Sequence, residues 1–198
     1  MKLLELFATP VLVMDIERRF TEDEIGSIET LLKKTYRNRG NNTSTNTFVF
    51  NEPALKDIHK FCLDSVNNYM SEVLRHVGCI LKITQSWLNV SKAGEFHHTH
   101  NHPNSMISGV IYIETGEDDI IQFYRTRETT SFLHAADTYN QYNSISWYIP
   151  VKIGELVIFP SHLYHDVPQV KSERRISLSF NTFMSGPFGS IEMLTFVD

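Results

Sequence analysis

Cysteine is scarce in this chain, which has only Cys62 and Cys79 among its 198 residues. The two form no C-x-x-C motif and belong to no larger set of cysteines. This excludes a disulfide framework and a cysteine-based zinc site. We therefore predict two free thiols in a reducing compartment, the cytoplasm.

Long apolar runs are absent as well. Glu5 interrupts the N-terminal segment of residues 1–7, so we expect no signal peptide. No stretch reaches the roughly 20 apolar residues that a membrane-spanning helix needs. We expect no membrane partner.

Basic residues are too few and too scattered to form a binding stripe. Lys and Arg number 18 against 23 Asp and Glu, which gives a net charge of −5. A protein held on nucleic acid by phosphate contacts has the opposite balance, so no nucleic-acid partner is expected. The composition favours a small-molecule or peptide substrate, and it leaves the oligomeric state open, including a homodimer.

Hydrophobic residues, by contrast, make up 41% of the chain, enough for the core of a single domain over residues 1–198. Residues 1–79 are predicted to form an opening strand and two supporting helices. Thr21 followed by Glu24 is a capping box that begins the first helix, which ends near residue 34. The second helix is predicted over residues 52–78, with a proline in its first turn.

From residue 80 onward the chain consists of short apolar segments separated by turns, a pattern typical of a β-sandwich or barrel. The predicted strands are 81–91, 94–100, 106–114, 119–125, 131–135, 144–149, 156–159, 164–168 and 175–183. Their number fits a jelly roll. We predict a mainly β fold, with a jelly-roll core over residues 80–184, the N-terminal α-helices packed on its outside, and a C-terminal extension at 185–198. Residues 38–46 are predicted to be a loop.

Histidine is concentrated in one place. Four of the nine histidines lie at positions 97, 98, 100 and 102, and His165 follows much later. Alternation along an extended strand puts His98, His100 and His102 on one face and His97 on the other. Neutral imidazoles suit iron, zinc, copper or nickel. A solvated histidine loop is the alternative, but the run lies between two apolar segments, which favours a metal site.

An ordered series of short motifs connects these histidines to the rest of the core. The motifs are Trp87-Leu88-Asn89, His100-Asn101-His102, His102-Pro103-Asn104-Ser105, Ser108-Gly109-Val110, Gly154-Glu155-Leu156-Val157-Ile158-Phe159-Pro160, His165 and Arg175-Ile176-Ser177. The series resembles the Fe(II)- and 2-oxoglutarate (2OG)-dependent oxygenases, in particular the 2OG-Fe(II) oxygenase subfamily with an H-x-H-P-x-S segment followed by S-G-V. The resemblance covers residues 80–184. It implies a double-stranded β-helix, which is a cupin-like jelly roll, with Fe(II) as the metal and 2OG as the cosubstrate.

The resemblance also implies roles for individual residues. His100, His102 and His165 would hold Fe(II). Arg175, ten residues after His165, would bind the far carboxylate of 2OG, and Ser177 on the same strand face would donate one more hydrogen bond to it. The other candidates are Asn89 and Tyr112, as further cofactor-binding residues, and, with weaker support, His98, His162 and Gln122.

One departure from the common pattern concerns the metal ligands. The chain contains neither His-x-Asp nor His-x-Glu, whereas non-haem iron oxygenases usually use two histidines and one carboxylate. With His102 in place of the carboxylate, three neutral imidazoles leave the full charge on the metal. Spacing alone also allows His98, instead of His102, to pair with His100.

The implied activity is that of a non-haem iron dioxygenase that hydroxylates an unidentified substrate and produces succinate and carbon dioxide. Two alternatives remain open from the sequence. Gly94 and the His100-x-His102 pair are close to the cupin pattern, which predicts a metalloenzyme that does not use 2OG, although the cupin glutamate is missing. The other alternative is a non-catalytic jelly-roll binding module. Substrate contacts are expected in the loop at residues 126–143.

Overall fold

The computed structural model describes residues 2–76, 78–125 and 136–197. The strands are β1 (Leu12–Asp15), β2 (Thr35–Arg37), β3 (Asn42–Ser44), β4 (Ile80–Lys92), β5 (His97–His100), β6 (Ile107–Glu114), β7 (Ile120–Tyr124), β8 (Ser146–Pro150), β9 (Glu155–Pro160), β10 (His165–Val167) and β11 (Arg174–Ser185). The helices are α1 (Glu22–Leu32) and α2 (Lys56–Asn68). The strand expected at 131–135 and the first part of the expected substrate loop, 126–135, lie outside the described residues.

The strands form two antiparallel sheets. The larger has the order β1-β9-β6-β11-β4-β3-β2 and the smaller has the order β5-β10-β7-β8. From β4 to β7 successive strands alternate between the two sheets, and β9, β10 and β11 alternate again. This connectivity is that of a jelly roll, and the prediction of a mainly β protein is confirmed.

Strand β11 is the central strand of the larger sheet, and its two faces differ in chemistry. It pairs with β4 along its whole length and with β6 on its other side. One face carries Ile176 and Leu178, which belong to the larger hydrophobic core. The other face carries Arg175 and Ser177, which line a cavity shared with the smaller sheet. Alternation along one strand therefore places polar groups between the sheets and apolar groups behind them.

The two N-terminal helices pack on the apolar side of the larger sheet. Residues of α2 share one buried cluster with residues of β4, β6 and β11, among them Ile58, Cys62 and Val66 of the helix with Leu88 and Leu178 of the sheet. Helix α1 begins at the predicted capping box, in which the backbone N–H of Glu24 donates to Oγ1 of Thr21 at 3.2 Å and the backbone N–H of Thr21 donates to Oε2 of Glu24 at 2.8 Å. The helices thus cover the sheet face that points away from the histidines.

A second, smaller core lies between the two sheets. It contains Val110 and Tyr112 of β6, Ile121 and Phe123 of β7 and Val157 and Phe159 of β9, together with Val151 and Leu163. No helix in the described part of the chain is long and apolar enough to cross a bilayer.

Two N-terminal predictions need correction. Residues 38–46 are not simply a loop, because Asn42–Ser44 forms β3, which pairs with β2 and with β4 and so extends the larger sheet. The second helix is shorter than the predicted span of 52–78. It is preceded by two 3₁₀ turns, Val49–Asn51 and Pro53–Leu55, and it continues as a π-helical turn over Tyr69–Val73.

Candidate metal centre

A β-bulge between β5 and β10 arranges the histidine cluster. His165 pairs with His100, and Val167 pairs with His97, so two residues of β5 lie opposite the single residue Asp166. The extra residue breaks the alternation of side chains along β5. As a result His97 lies on the same side as His100, and their rings stack with centroids 4.5 Å apart. The expectation that His97 points to the opposite face is wrong for this reason.

His100, His102 and His165 converge in space. One ring nitrogen from each lies within 4.8 Å of those of the other two, close enough for all three to hold one metal ion. His98 is not part of this group. It lines an open groove with Phe96, Thr99 and Asp166, so the convergence favours His102 as the partner of His100.

Backbone carbonyls orient two of the three imidazoles. Nδ1 of His165 lies 3.0 Å from the carbonyl oxygen of Leu163, and Nδ1 of His100 lies 2.7 Å from that of His98. A carbonyl can only accept a hydrogen bond, so each Nδ1 carries the proton and each Nε2 keeps a lone pair. Such hydrogen bonds from Nδ1 to a carbonyl fix the tautomer and the ring orientation of metal-binding histidines.

Burial keeps these imidazoles neutral. His165 is 5% exposed, and burial lowers its pKa well below the usual value. Burial also lowers the pKa of His100, and it lowers the pKa values of His102 and His97 to about 3. Neutral imidazole is the form that binds a metal.

The contact between His102 and His165 tests whether a metal ion fits these residues. Their Nε2 atoms lie 3.3 Å apart, and Nε2 of His165 has no proton because Nδ1 carries it. A shared proton or a cation near both nitrogens would make this contact favourable. Three neutral imidazoles, one buried and two half-buried, are a suitable donor set for Fe(II), Ni(II) or Zn(II), so the residues present fit a metal ion.

Arg175 lies in the same cavity and has no acidic partner among the described residues. It is 4% exposed, and its Nε has no hydrogen-bond partner. Its Cζ lies 5.1 Å from the centroid of the Tyr112 ring. Burying a cation without an anion is costly, so the arrangement indicates that an anionic ligand completes the site.

The adjacent arginine behaves differently. Arg174 forms ion pairs with Glu29 at 2.7 Å and with Glu114 at 2.6 Å, and hydrogen bonds to these carboxylates raise its pKa further. Its charge is therefore already balanced by the protein. Only Arg175 of this pair is available to an anion in the cavity.

Tyr112 adds a second polar group beside Arg175. It is fully buried, and its hydroxyl has no hydrogen-bond partner among the described residues. Burial raises its pKa to about 12, and the nearby guanidinium offsets only part of that effect. The side chain is a neutral phenol at physiological pH and can donate a hydrogen bond. Ser177, which is 2% exposed, lines the same cavity.

The hairpin of β2 and β3 contributes residues that the sequence did not identify. Nδ2 of Asn41 and Oγ1 of Thr43 both donate to Oδ1 of Asn89, at 3.2 and 3.1 Å, and Nδ2 of Asn89 donates to Oγ of Ser179 at 3.2 Å. Asn38 from the same hairpin reaches Nε2 of His97 at 3.4 Å. Asn-rich segments are common in loops, so nothing in the sequence indicated that Asn41 and Thr43 contact Asn89. The contact becomes visible only because β3 pairs with β4.

Two weaker candidates lie away from the cavity. Gln122 alternates with the buried residues Ile121 and Phe123, and its amide donates to Oγ of Ser146 at 3.0 Å. It therefore faces the outer side of the smaller sheet. His162 is exposed in the turn before β10 and does not line the cavity.

Comparison with known proteins agrees with this geometry. Residues 85–181 match the model of the family described as “Putative 2OG-Fe(II) oxygenase”, and this segment contains all the cavity-lining residues discussed above. No curated protein sequence matches the chain.

Solved structures share the fold at low sequence identity. An oxidoreductase of the 2OG-Fe(II) oxygenase family from Burkholderia pseudomallei is 13% identical with a TM-score of 0.58, covering 87% of this chain and 83% of that one. A prolyl-4-hydroxylase from Pseudomonas putida is 13% identical with a TM-score of 0.57, covering 91% and 96%. HygX from Streptomyces hygroscopicus, with nickel, 2-oxoglutarate and hygromycin B bound, is 14% identical with a TM-score of 0.56, covering 88% and 82%. Residues 85–181, which carry the candidate centre, are thus similar in sequence to a family of Fe(II)- and 2-oxoglutarate-dependent oxygenases.

Proposed function

We propose that this oxygenase hydroxylates a small-molecule or peptide substrate, with Fe(II) held by His100, His102 and His165 and with 2OG anchored by Arg175. The observation that carries the proposal is the buried Arg175, whose guanidinium has no carboxylate partner in the described part of the chain and lies in the cavity that also contains the three imidazoles. A dianionic cosubstrate balances that charge. A cupin-type metalloenzyme that does not use 2OG gives no reason for a buried unpaired arginine.

Arg175 would bind the far carboxylate of 2OG. A guanidinium binds a carboxylate through two parallel N–H donors, and a dry cavity strengthens both hydrogen bonds. Ser177 lies two residues further along the same strand face and supplies a hydroxyl donor. The phenol of Tyr112, which stays neutral, supplies another.

Asn89 is suited to the other end of the cosubstrate. Its Oδ1 accepts hydrogen bonds from Asn41 and Thr43, and one N–H of its Nδ2 donates to Oγ of Ser179. An amide nitrogen has two protons, so one N–H remains for a ligand in the cavity. The β2–β3 hairpin would thus hold the Asn89 amide in one orientation.

The cavity is narrow, with a volume of about 30 Å³, which is room for about one water or ion. Entry of 2OG therefore requires some of the side chains that line it to move. His97 is the best candidate, because it lines this cavity and also the open groove beside β5. Its contacts with Asn38 and the His100 ring would break when it moves.

When bound, Fe(II) would supply the redox chemistry by which dioxygen oxidises 2OG to succinate and carbon dioxide and oxidises the substrate. The residues of this chain bind and orient the reactants. Apolar residues on the cavity wall, Val110, Ile121 and Phe180, limit the access of water.

The wider assignments are also part of the proposal. We infer one domain over residues 1–198, with residues 1–79 as support outside the double-stranded β-helix of residues 80–184 and residues 185–198 as an extension. The peptide or small-molecule substrate is suggested by relatives named as a prolyl-4-hydroxylase and as a hygromycin B complex. The free thiols of Cys62 and Cys79 suit a cytoplasmic location, and a homodimer remains open.

Turnover of 2OG tests the proposal. The wild-type protein with Fe(II) and dioxygen should convert 2OG to succinate slowly on its own and faster when a peptide or small-molecule substrate is added. The His165→Ala variant should produce none, while His162→Ala should match the wild type. Succinate formation that does not depend on His165 would contradict the proposal.

A further inference from the structure

His102 lies in the loop between β5 and β6 (residues 101–106), two residues beyond the end of β5. Within residues 2–76, 78–125 and 136–197, no carbonyl holds a ring nitrogen of His102 as carbonyls hold those of His100 and His165. Among the described residues its only side-chain hydrogen bond is the contact with His165. Its backbone is held instead, because its N–H donates to the carbonyl oxygen of Ser161 at 2.9 Å. The orientation of His102 therefore depends on how firmly the loop and Ser161 are fixed.

Three serine hydroxyls join these two segments. Oγ of Ser161 lies 2.7 Å from Oγ of Ser105 in the loop and 2.8 Å from Oγ of Ser108 in β6. Ser108 in turn lies 2.8 Å from Oδ1 of Asn181. Ser161 is 0% exposed and Ser108 is 1% exposed, so these hydroxyls depend on one another for their hydrogen bonds.

The same loop is tied to the central strand β11. Oγ of Ser105 donates to the carbonyl oxygen of Thr182 at 3.1 Å, and the backbone N–H of Thr182 donates back to Oγ of Ser105 at 3.2 Å. Oγ1 of Thr182 donates to the carbonyl oxygen of Ile107 at 2.7 Å. The N–H of Met106 donates to the carbonyl oxygen of Thr182 at 3.0 Å. The loop that carries His102 is thus fixed to the most extensively paired strand of the fold.

Ser161 also lies at the start of the segment that carries His165. The N–H of Leu163 donates to the carbonyl oxygen of Pro160 at 2.9 Å, which closes a turn around Ser161. The carbonyl oxygen of Leu163 then accepts from Nδ1 of His165 at 3.0 Å. One residue therefore connects the backbone of His102 with the turn that orients His165.

We propose that Ser161, together with Ser105 and Ser108, positions the two metal ligands His102 and His165. This inference rests on the proposed function, because it takes those histidines as ligands. It assigns a purpose to Ser105 of the H-P-x-S segment and Ser108 of the S-G-V segment, to which the proposed function gives no ligand role. A ligand on a loop needs such support, since a displacement of about 1 Å weakens a metal site.

Anaerobic Fe(II) titration of matched serine variants tests this role. Loss of an outer hydrogen-bonding partner typically weakens metal binding roughly 10- to 100-fold, and we expect that loss for Ser161→Ala, with a changed visible spectrum when Co(II) replaces Fe(II). The control is Ser86→Ala, which removes a serine that is 2% exposed and accepts from the N–H of Phe50 at 3.0 Å. It should lower the melting temperature and leave Fe(II) affinity unchanged.

The outcomes separate this inference from the proposed function. If the wild type binds Fe(II) and 2OG and Ser161→Ala binds Fe(II) equally well, the serines do not position the ligands and only this inference fails. If the wild type binds no Fe(II), the proposed function fails and the inference fails with it. If Ser161→Ala does not fold, Ser105→Ala and Ser105→Thr replace it. Ser105→Thr keeps the hydroxyl and should restore the affinity that Ser105→Ala loses, and equal affinity for both would overturn the inference.

Discussion

The guanidinium of Arg175 lies over the ring of Tyr112, with Cζ 5.1 Å from the ring centroid, and both side chains are buried between the two sheets. The ring face favours a cation, and Nε of Arg175 has no hydrogen-bond partner among the described residues. Arg174, one residue earlier, has its charge balanced by Glu29 and Glu114. The two arginines therefore provide a matched pair of variants.

We expect Arg175→Ala to lose 2OG binding and Arg174→Ala to keep it. Removing one member of a buried charged pair costs about 2–5 kcal/mol, so the affinity for 2OG should fall roughly 30-fold or more in Arg175→Ala. Arg174→Ala should lower the melting temperature and leave this affinity within about threefold. Calorimetric titration of the anaerobic Fe(II) protein measures both. Equal losses in the two variants would show that the effect is not specific to the cavity.

Substitution of single histidines should separate ligands from neighbours. His100→Ala, His102→Ala and His165→Ala should each weaken Fe(II) binding by more than the roughly 10- to 100-fold cost of losing an outer hydrogen bond. His98→Ala should bind Fe(II) normally, because His98 orients His100 through its backbone carbonyl, which alanine keeps. Metal content after anaerobic loading and desalting measures the difference. If His98→Ala lost Fe(II) binding and His102→Ala bound Fe(II) normally, His98 and not His102 would be the metal ligand.

The stability of the metal-free protein should fall as the pH drops below about 6.5. Burial lowers the pKa values of His97 and His102 to about 3 in the folded state, whereas in the unfolded chain they lie near 6.5. Above pH 6.5 these histidines are neutral in both the folded and the unfolded chain, so they add no pH dependence to the free energy of unfolding. Below it only the unfolded chain takes up protons, which costs about 1.4 kcal/mol per pH unit for each such histidine.

Urea unfolding between pH 7 and pH 5 measures this slope before most carboxylates titrate. The His102→Phe variant should show a shallower slope, because it removes one of the groups that titrate only in the unfolded state. A free energy of unfolding that stays constant over this range would mean that the cluster accepts protons when folded.

Gly109 should not tolerate a side chain. A Cβ at this position would lie 2.2 Å from Cζ of Phe180, whose ring is fully buried in the core. Gly109→Ala should therefore destabilise the protein by about 1–3 kcal/mol through overpacking. The control is Gly26→Ala in α1, where a Cβ meets no atom within 4 Å and the higher helix propensity of alanine should stabilise by up to about 1 kcal/mol. Thermal melting compares the two, and equal effects would contradict the packing argument.

Local patterns in the sequence were sufficient for much of the fold. The capping box of Thr21 and Glu24 predicted the start of α1 because both of its hydrogen bonds lie within one turn. Short apolar segments between turns predicted the strands from β4 to β11 that the structure describes, with ends shifted by a few residues. The His-x-His pair and the later His165 and Arg175 predicted which side chains meet in the cavity, because the order of motifs is specific.

The parts that the sequence did not predict depend on pairing between distant segments. His97 joins the cavity because β5 bulges against β10, and no local pattern marks where a strand gains an extra residue. The role of Asn41 depends on β3 lying beside β4. Gln122 fails as a cavity residue because alternation along β7 turns it outward, and the sequence alone did not reveal which face of that strand is the inner one.

The most direct test is an anaerobic titration of the metal-free protein with Fe(II) and then with 2OG, followed by visible absorption. We predict a charge-transfer band of the chelated 2-oxo acid that appears in the wild type and weakens in Arg175→Ala. Tight Fe(II) binding without a band would contradict the use of 2OG and favour a cupin-type metalloenzyme. Failure to bind Fe(II) at all would contradict both metalloenzyme assignments and favour a binding module.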